Sequence, residues 1–321
     1  MSVLKLKPSC KDYLWGGHRL VEEYGKEYDG EILAETWELS CHPDGPSTIV
    51  NGAYAGKTLE EYIEAEGKEV LGTNCRRFRD FPILTKFIDA KQDLSIQVHP
   101  DNRYALKNEG QYGKTEMWYL VGADRDAELI MGFNKDTDKS EYLTALHNHT
   151  LPVLLNTEKV EKGDCFFIPA GTVHAICKGC YIAEIQQTSD ITYRIYDYDR
   201  RDKNGNPREL HTELATDVIN FCEQKQHSIH YHQHENHTEE LVSCNYFTTN
   251  YLKFDKEVEK DYIELDSFVI YMCLEGNFTL VYDVDKTVKV NKGETILVPA
   301  ILKNLFLIPE TEAEILEIYI R

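Results

Sequence analysis

Apolar positions along this chain recur mostly with a period of two. Short runs rich in Val, Ile, Phe and Tyr lie between Gly, Asn and Asp, the pattern of strands closed by turns. They predict strands at Phe81–Phe87, Leu94–Val98, Trp118–Val121, Cys165–Ile168 and Tyr181–Ile185. In the last third they predict strands at Phe268–Leu274, Thr279–Tyr282, Thr295–Val298 and Ile315–Ile320. Helical patterns are few. Thr58-Leu-Glu-Glu61 reads as a capping box before an amphipathic run to about Leu71, and Lys139–His147 and Glu209–Phe221 carry apolar residues at helical spacing. Many short strands with few helices predict a mainly β fold, a sandwich or barrel.

One internal repeat changes the picture. Lys162-Gly-Asp-Cys-Phe-Phe-Ile-Pro-Ala170 matches Lys292-Gly-Glu-Thr-Ile-Leu-Val-Pro-Ala300, 130 residues later. In both, Gly supplies a turn, four strand-like residues follow, and Pro ends the strand at an edge. The repeat predicts two related β-domains, over 1–226 and 241–321, joined by a polar connection at 227–240. That connection holds His227, His230, His232, His234 and His237. Alternate histidines there would share one face of a strand, but no carboxylate or cysteine spacing closes a metal shell, so a linker is expected. Asp202-Lys-Asn-Gly-Asn-Pro207 has its Gly at the fourth position rather than the sixth of a calcium loop, and reads as a hairpin turn.

A chain of 321 residues is long enough for two domains and for a core that needs no disulfide or metal staples. Lys plus Arg number 35 and Asp plus Glu 55, a net charge of −20, which argues against nucleic acid as a partner and leans towards a soluble monomer or weak homo-oligomer. No window approaches the ~18 apolar residues of a membrane span, and the first residues lack the apolar run of a secretory signal. A cytoplasmic location follows as the expectation. The nine cysteines are expected to be free thiols, with Cys177 and Cys180 flanking a turn rather than forming a redox pair.

The first copy of the repeat extends to Gly163-x5-Pro169-x-Gly171-x2-His174, which resembles the second motif of the cupin superfamily, with Lys178 where that motif ends in Asn. Upstream, Leu94-Ser-Ile-Gln97-Val-His99-Pro100 alternates as a strand, so Gln97 and His99 share a face. It resembles the first cupin motif with Gln for the first His. Glu116 is the candidate carboxylate, after a longer gap than the motif usually has. His99, Glu116 and His174, with Gln97 as a possible fourth, would suit zinc, iron or manganese with an open position. In the second copy Asn304 falls where His174 stands, and that domain is expected to be metal-free.

Longer segments carry a closer resemblance. Tyr13–Gly17, Glu35–Ser40, His42–Ser47, Phe81–Ala90, Asp93–Pro100, Gly113–Tyr119, Pro169–Ala175 and above all Glu184–Arg200 together resemble the short bacterial type I phosphomannose isomerases. The resemblance runs from residue 13 to about 211. It implies two cupin-type jelly-roll barrels, one bound zinc, and interconversion of mannose 6-phosphate and fructose 6-phosphate. It carries the metal ligands onto Gln97, His99, Glu116 and His174, the catalytic arginine onto Arg194, and other active-site positions onto Ser95, Lys114 and Glu184.

The chemistry needs such groups. Moving a carbonyl from C1 to C2 passes through a cis-enediolate, an anion that a divalent cation and a guanidinium can stabilise, while a base moves the proton between carbons. Alternation puts Thr192, Arg194 and Tyr196 on one face, and Arg194 there would face enediolate or phosphate unless it pairs with Asp190 or Asp197 at the surface. Lys114, two residues from Glu116, should point to the same side, to hold phosphate or transfer a proton; Glu184 is the other candidate base. Two further readings stay open on residues alone: an iron-dependent cupin oxygenase, which has no need of Arg194 or Lys114, and a non-catalytic sugar-binding barrel.

Overall fold

The computed structural model describes residues 1–201, 204–225 and 228–321. Strand alternation divides the side chains of Glu116–Ala123 between two cores: Met117, Tyr119 and Val121 face one, Trp118 and Leu120 the other. That strand belongs to a six-stranded antiparallel sheet, ordered Cys165–Ile168, Glu116–Ala123, Cys180–Gln187, Ile83–Asp89, Glu35–Leu39 and Ser9–Lys11. A five-stranded sheet faces it, ordered Tyr193–Tyr196, Ile96–Val98, His174–Ile176, Glu128–Phe133 and Leu155–Lys159. Trp118, Leu120, Ile88, Ile182, Leu129 and Met131 fill the space between the sheets.

A nine-stranded sheet forms the C-terminal barrel around Phe254, Tyr271, Phe278 and Leu305. The N-terminal strand Leu4–Lys7 pairs into it beside Thr295–Val298, and Thr48–Ile49 extends it. The fold is therefore mainly β, of the cupin type, with few helices. Between the barrels, the outer face of the six-stranded sheet packs on the C-terminal sheet, with Tyr119 stacked on Tyr251 at 5.6 Å and Phe87 and Tyr181 beside Leu297 and Leu316 in the same core. Truncating such a buried aromatic to Ala costs about 3–5 kcal/mol.

The repeat appears in both barrels. Gly163 has φ 96° and Gly293 φ 82°, and each precedes a strand that ends at its Pro. The first copy, Cys165–Ile168, is an edge strand as expected. The second, Thr295–Val298, is interior, because Leu4–Lys7 covers its outer side; its Pro ends the strand without marking an edge. The capping box closes as read: Thr58 Oγ1 accepts from Glu61 N at 3.2 Å and Glu61 Oε2 from Thr58 N at 2.8 Å. The helix stops at Glu66 rather than Leu71, since Gly67 takes φ 88° and Lys68–Leu71 continues as a 3-10 turn. Lys139–His147 is a helix, and the Glu209–Phe221 pattern shortens to Thr212–Val218.

All nine cysteines are free thiols, and the Cys177–Cys180 pair flanks a turn through Gly179 at φ 85°. His227 of the histidine tract and Asp202 and Lys203 of the calcium-like hairpin lie outside the described residues. His230, His232, His234 and His237 are exposed; His234 Nδ1 lies 2.6 Å from Glu239 Oε1, and the tract gathers no three-ligand cluster among the described residues.

Candidate active site

The metal-binding residues come together because three strands place them in register. Arg194 opposes Gln97 across one strand pair, and Gln97 opposes His174 across the next. Directly opposed residues point to the same side of a sheet, so the three line one row, with the Cα atoms of Arg194 and His174 roughly 10 Å apart at two strand spacings. His99 follows Gln97 two residues on. Glu116 enters from the facing sheet on the interior side of its strand, in parity with Trp118.

Donor atoms of His99, Glu116 and His174 all lie within 4.8 Å of one another, fully buried. Each imidazole has its Nδ1 against a backbone carbonyl: His99 on Ile191 O at 2.7 Å and His174 on Thr172 O at 2.8 Å. Those bonds fix the tautomer, so both Nε2 lone pairs point inward. His174 Nε2 faces Glu116 Oε1 at 3.3 Å, and that oxygen accepts no hydrogen bond. A lone pair opposed to a carboxylate oxygen without a proton between them is a repulsive contact that a cation relieves. Lys114 shows the pull of the set, its ammonium lying against Glu116 Oε2 and 3.3 Å from His99 Nε2. Two imidazoles and a carboxylate therefore fit a divalent metal ion with room for further ligands. Gln97 Nε2 lies 3.5 Å from His174 Nε2, and a half-turn of the amide would present Oε1 to the set instead. Ser95 Oγ donates to that Oε1 at 3.3 Å, so both sequence-read residues belong to the same cluster.

A cavity of about 240 Å³ opens beside these ligands. Gln97, Lys114, Glu184, Ser95 and Arg194 line it, with Glu35, Lys86 and Arg208. Glu184 accepts from Trp118 Nε1 at 2.9 Å and sits 3.3 Å from Lys86 and 3.7 Å from Lys114. Burial alone would raise its carboxyl, but Lys114 and Lys86 hold it down at about 2. Burial and the charge of Glu184 push Glu116 the other way, up to about 7, in the protein without a bound cation. Burial also works against the charge of Lys86, yet Glu35 and Glu184 hold it above the ordinary lysine range. Glu35 in turn accepts from Trp37 Nε1 at 2.8 Å.

Arg194 does not pair with Asp190 or Asp197. It donates through Nη1 to Glu209 O at 2.9 Å, and its buried Nε has no partner. Burial, then the like charge of Arg208, lowers its guanidinium from the usual value. Asp197 instead holds Arg200 and Arg208. Sequence reading missed Glu35, Lys86, Arg208 and Asp197. Lys86 had a signal, a charge inside the run Ile83–Ile88, apolar but for Thr85 and buried throughout. Arg208 had none, because a loop delivers it.

A double-barrel β fold with a buried His–Glu–His set opening on a charged cavity defines a metal-binding cupin. The model of the family "Phosphomannose isomerase type I, catalytic domain" matches residues 3–150. The chain is 37% identical over 299 residues to the mannose-6-phosphate isomerase ManA of Bacillus subtilis, covering 92% of each, and 44% identical over 216 residues to a mannose-6-phosphate isomerase of Streptococcus mutans, covering 67% of each. The crystal structure of a mannose 6-phosphate isomerase from Bacillus subtilis superposes with a TM-score of 0.90 at 36% identity, covering 99% of both chains. This chain belongs to the type I phosphomannose isomerase family.

Proposed function

We propose that this protein interconverts mannose 6-phosphate and fructose 6-phosphate through a cis-enediolate, with zinc held by His99, Glu116 and His174 and with Gln97 as fourth ligand. The observation that carries the reading is the row His174–Gln97–Arg194, which sets a metal-binding group and a guanidinium with an unpartnered buried Nε on one cavity wall. A bound divalent ion would polarise the substrate carbonyl and stabilise the enediolate oxygens.

The chain's own residues supply the rest. Arg194 faces the anion that develops or the phosphate, in a site where burial strengthens the interaction. Lys114 and Glu184 line the cavity 3.7 Å apart, and this pair moves the proton between C1 and C2. Lys86 and Trp118 fix the orientation of Glu184. Ser95 positions the Gln97 amide and offers a hydroxyl to the sugar. An oxygenase would leave this ring of cations without a purpose.

The test is a coupled assay of mannose 6-phosphate isomerisation before chelation, after it, and after zinc is restored. Activity should vanish with the chelator and return with zinc. Folded, zinc-loaded protein without turnover would overturn the reading; near-normal turnover in both Lys114→Ala and Glu184→Ala would overturn the assignment of the base.

A further inference from the structure

We propose that Arg208 recognises the phosphate of the substrate and that Asp197, buried behind it, is a positioning residue that aims Arg208 into the cavity. The proposal rests on the sugar-phosphate reading above.

Two guanidiniums, those of Arg200 and Arg208, hold one carboxylate, and Arg194 lies near enough to feel the charge of all three groups. Arg208 approaches Asp197 side-on: Nε donates to Oδ2 at 2.8 Å and Nη2 to Oδ1 at 2.5 Å. That fork leaves Nη1 on the far edge, with no acceptor among the described residues, and Arg208 lines the cavity. Arg200 is placed differently. Its Nη2 goes to Asp197 Oδ1 and its Nη1 to Asp93 O, so it is engaged at both ends and does not line the cavity. Its second bond ties the hub to the segment that carries Ser95 and Gln97.

The backbone takes on strain to build this hub. Tyr198 and Asp199 both adopt left-handed conformations, at φ 56° and 54°, and neither is glycine. They close a turn in which Arg200 N donates to Asp197 O at 3.1 Å, returning Arg200 to the carboxylate. Such residues persist where surrounding contacts over-determine them. The hub leaves net positive charge on the cavity side, where Arg208 lines the wall and the buried Arg194 Nε has no partner. A phosphoryl dianion can accept from both, whereas an unphosphorylated hexose leaves them unpaired.

The experiment compares metal-replete wild type with Asp197→Asn, Asp197→Glu, Arg208→Lys and the Asp197→Asn/Arg208→Lys double variant. KM and kcat for mannose 6-phosphate, competitive inhibition by inorganic phosphate, and melting temperature are measured. Asp197→Asn and Arg208→Lys should each raise KM and the phosphate inhibition constant by about tenfold or more, with kcat within about threefold. Asp197→Glu should recover part of that loss. The double variant should be little worse than the poorer single, because one residue acts through the other. Either single variant with KM and inhibition constant within about twofold of wild type overturns the proposal, as do fully additive losses. Should Asp197→Asn fail to fold, Arg208→Lys at the cavity wall carries the same decision. A wild type that binds inorganic phosphate in a direct titration yet does not isomerise mannose 6-phosphate would defeat the functional reading, and the titrated phosphate dissociation constants of wild type and variants would still decide this one.

Discussion

Each barrel buries a carboxylate beside a lysine, and the two are built to opposite ends. In the C-terminal barrel Glu317 is held by Lys260 at 3.0 Å, by Asn250 Nδ2 at 2.7 Å and by the Tyr262 hydroxyl, itself bonded to Tyr271. Every lobe of that carboxylate is answered. In the N-terminal barrel Glu116 Oε1 accepts no hydrogen bond, Glu184 Oε1 is met only by the Lys86 and Lys114 ammoniums at 3.3 and 3.7 Å, and a cavity opens beside them. A buried polar network that is fully satisfied rigidifies a core; one left incomplete beside a cavity is waiting for a ligand. Burial and charge alone would not have told the two apart. The orphaned Glu116 oxygen and the cavity beside it do.

The strongest way to break this comparison is to neutralise one carboxylate of each kind. Glu116→Gln should abolish metal retention and reduce turnover on the order of a thousandfold, since several kcal/mol of transition-state stabilisation are lost at 1.36 kcal/mol per decade. Its melting temperature without metal should fall less than that of Glu317→Gln, because the repulsion with His174 Nε2 is relieved and Lys114 keeps Glu184 at 3.7 Å. Metal content, coupled assay and thermal melting check this; retained metal and activity would place Glu116 with the structural carboxylates.

Glu317→Gln should do the reverse. It strands the Lys260 ammonium in the core, so stability should drop by about 3–5 kcal/mol while activity per folded molecule is unchanged. Replacing both partners, as Lys260→Met with Glu317→Leu, should recover most of the loss. Denaturant titration measures it; an activity loss in Glu317→Gln at full folding would show that the C-terminal network reaches the site.

Acid titration sharpens the same contrast with a smaller effect. Burial would raise Glu317, but Lys260 and the two side-chain donors bring it below its ordinary value of 4.5. A depressed carboxyl contributes stability that is present above that value and lost as pH falls through the folded-state one. Wild type should therefore lose stability more steeply than Glu317→Gln between about pH 5 and pH 3.5. Parallel curves would mean that Glu317 is not held ionised.

Much of this was legible in the chain. Strands Cys165–Ile168 and Thr295–Val298 and helix Lys139–His147 stand where the pattern put them. Phe268–Leu274 and Thr279–Tyr282 proved to be one strand, Val269–Tyr282, because bulges between Cys273 and Glu275 and between Gly276 and Phe278 shift the alternation. Only the end of Asn304–Tyr319 was read, since its middle, through Pro309 and Glu312, is largely exposed and polar. In the site, Gln97 and His99 were legible because alternation carries them to one face; Glu116 and His174 followed from the cupin motifs, and Lys114, Glu184 and Arg194 from the family's segments. Asp197 and Arg208 meet through a strained turn and a loop, and no periodicity records such a meeting.

The finest test falls on the repeat itself, where nine aligned positions hide unequal surroundings. Gly163 and Gly293 are both left-handed, so alanine is strained at either, by about 1 kcal/mol. A Cβ on Gly163 would meet the Gln233 amide at 3.3 Å, at the end of a flexible side chain, and the Tyr231 hydroxyl at an ordinary 3.7 Å. A Cβ on Gly293 would lie 2.7 Å from the Tyr24 carbonyl oxygen, and backbone must move to admit it. Lys26 Nζ also donates to Gly293 O, at 2.5 Å, so that movement would disturb a buried lysine paired with Glu38. Gly293→Ala should accordingly cost more than Gly163→Ala, by about 1–2 kcal/mol in denaturant midpoints converted to free energy. Equal costs would mean that the duplicated hairpin is interchangeable between barrels; the inequality would show that the second copy has become part of the joint between them.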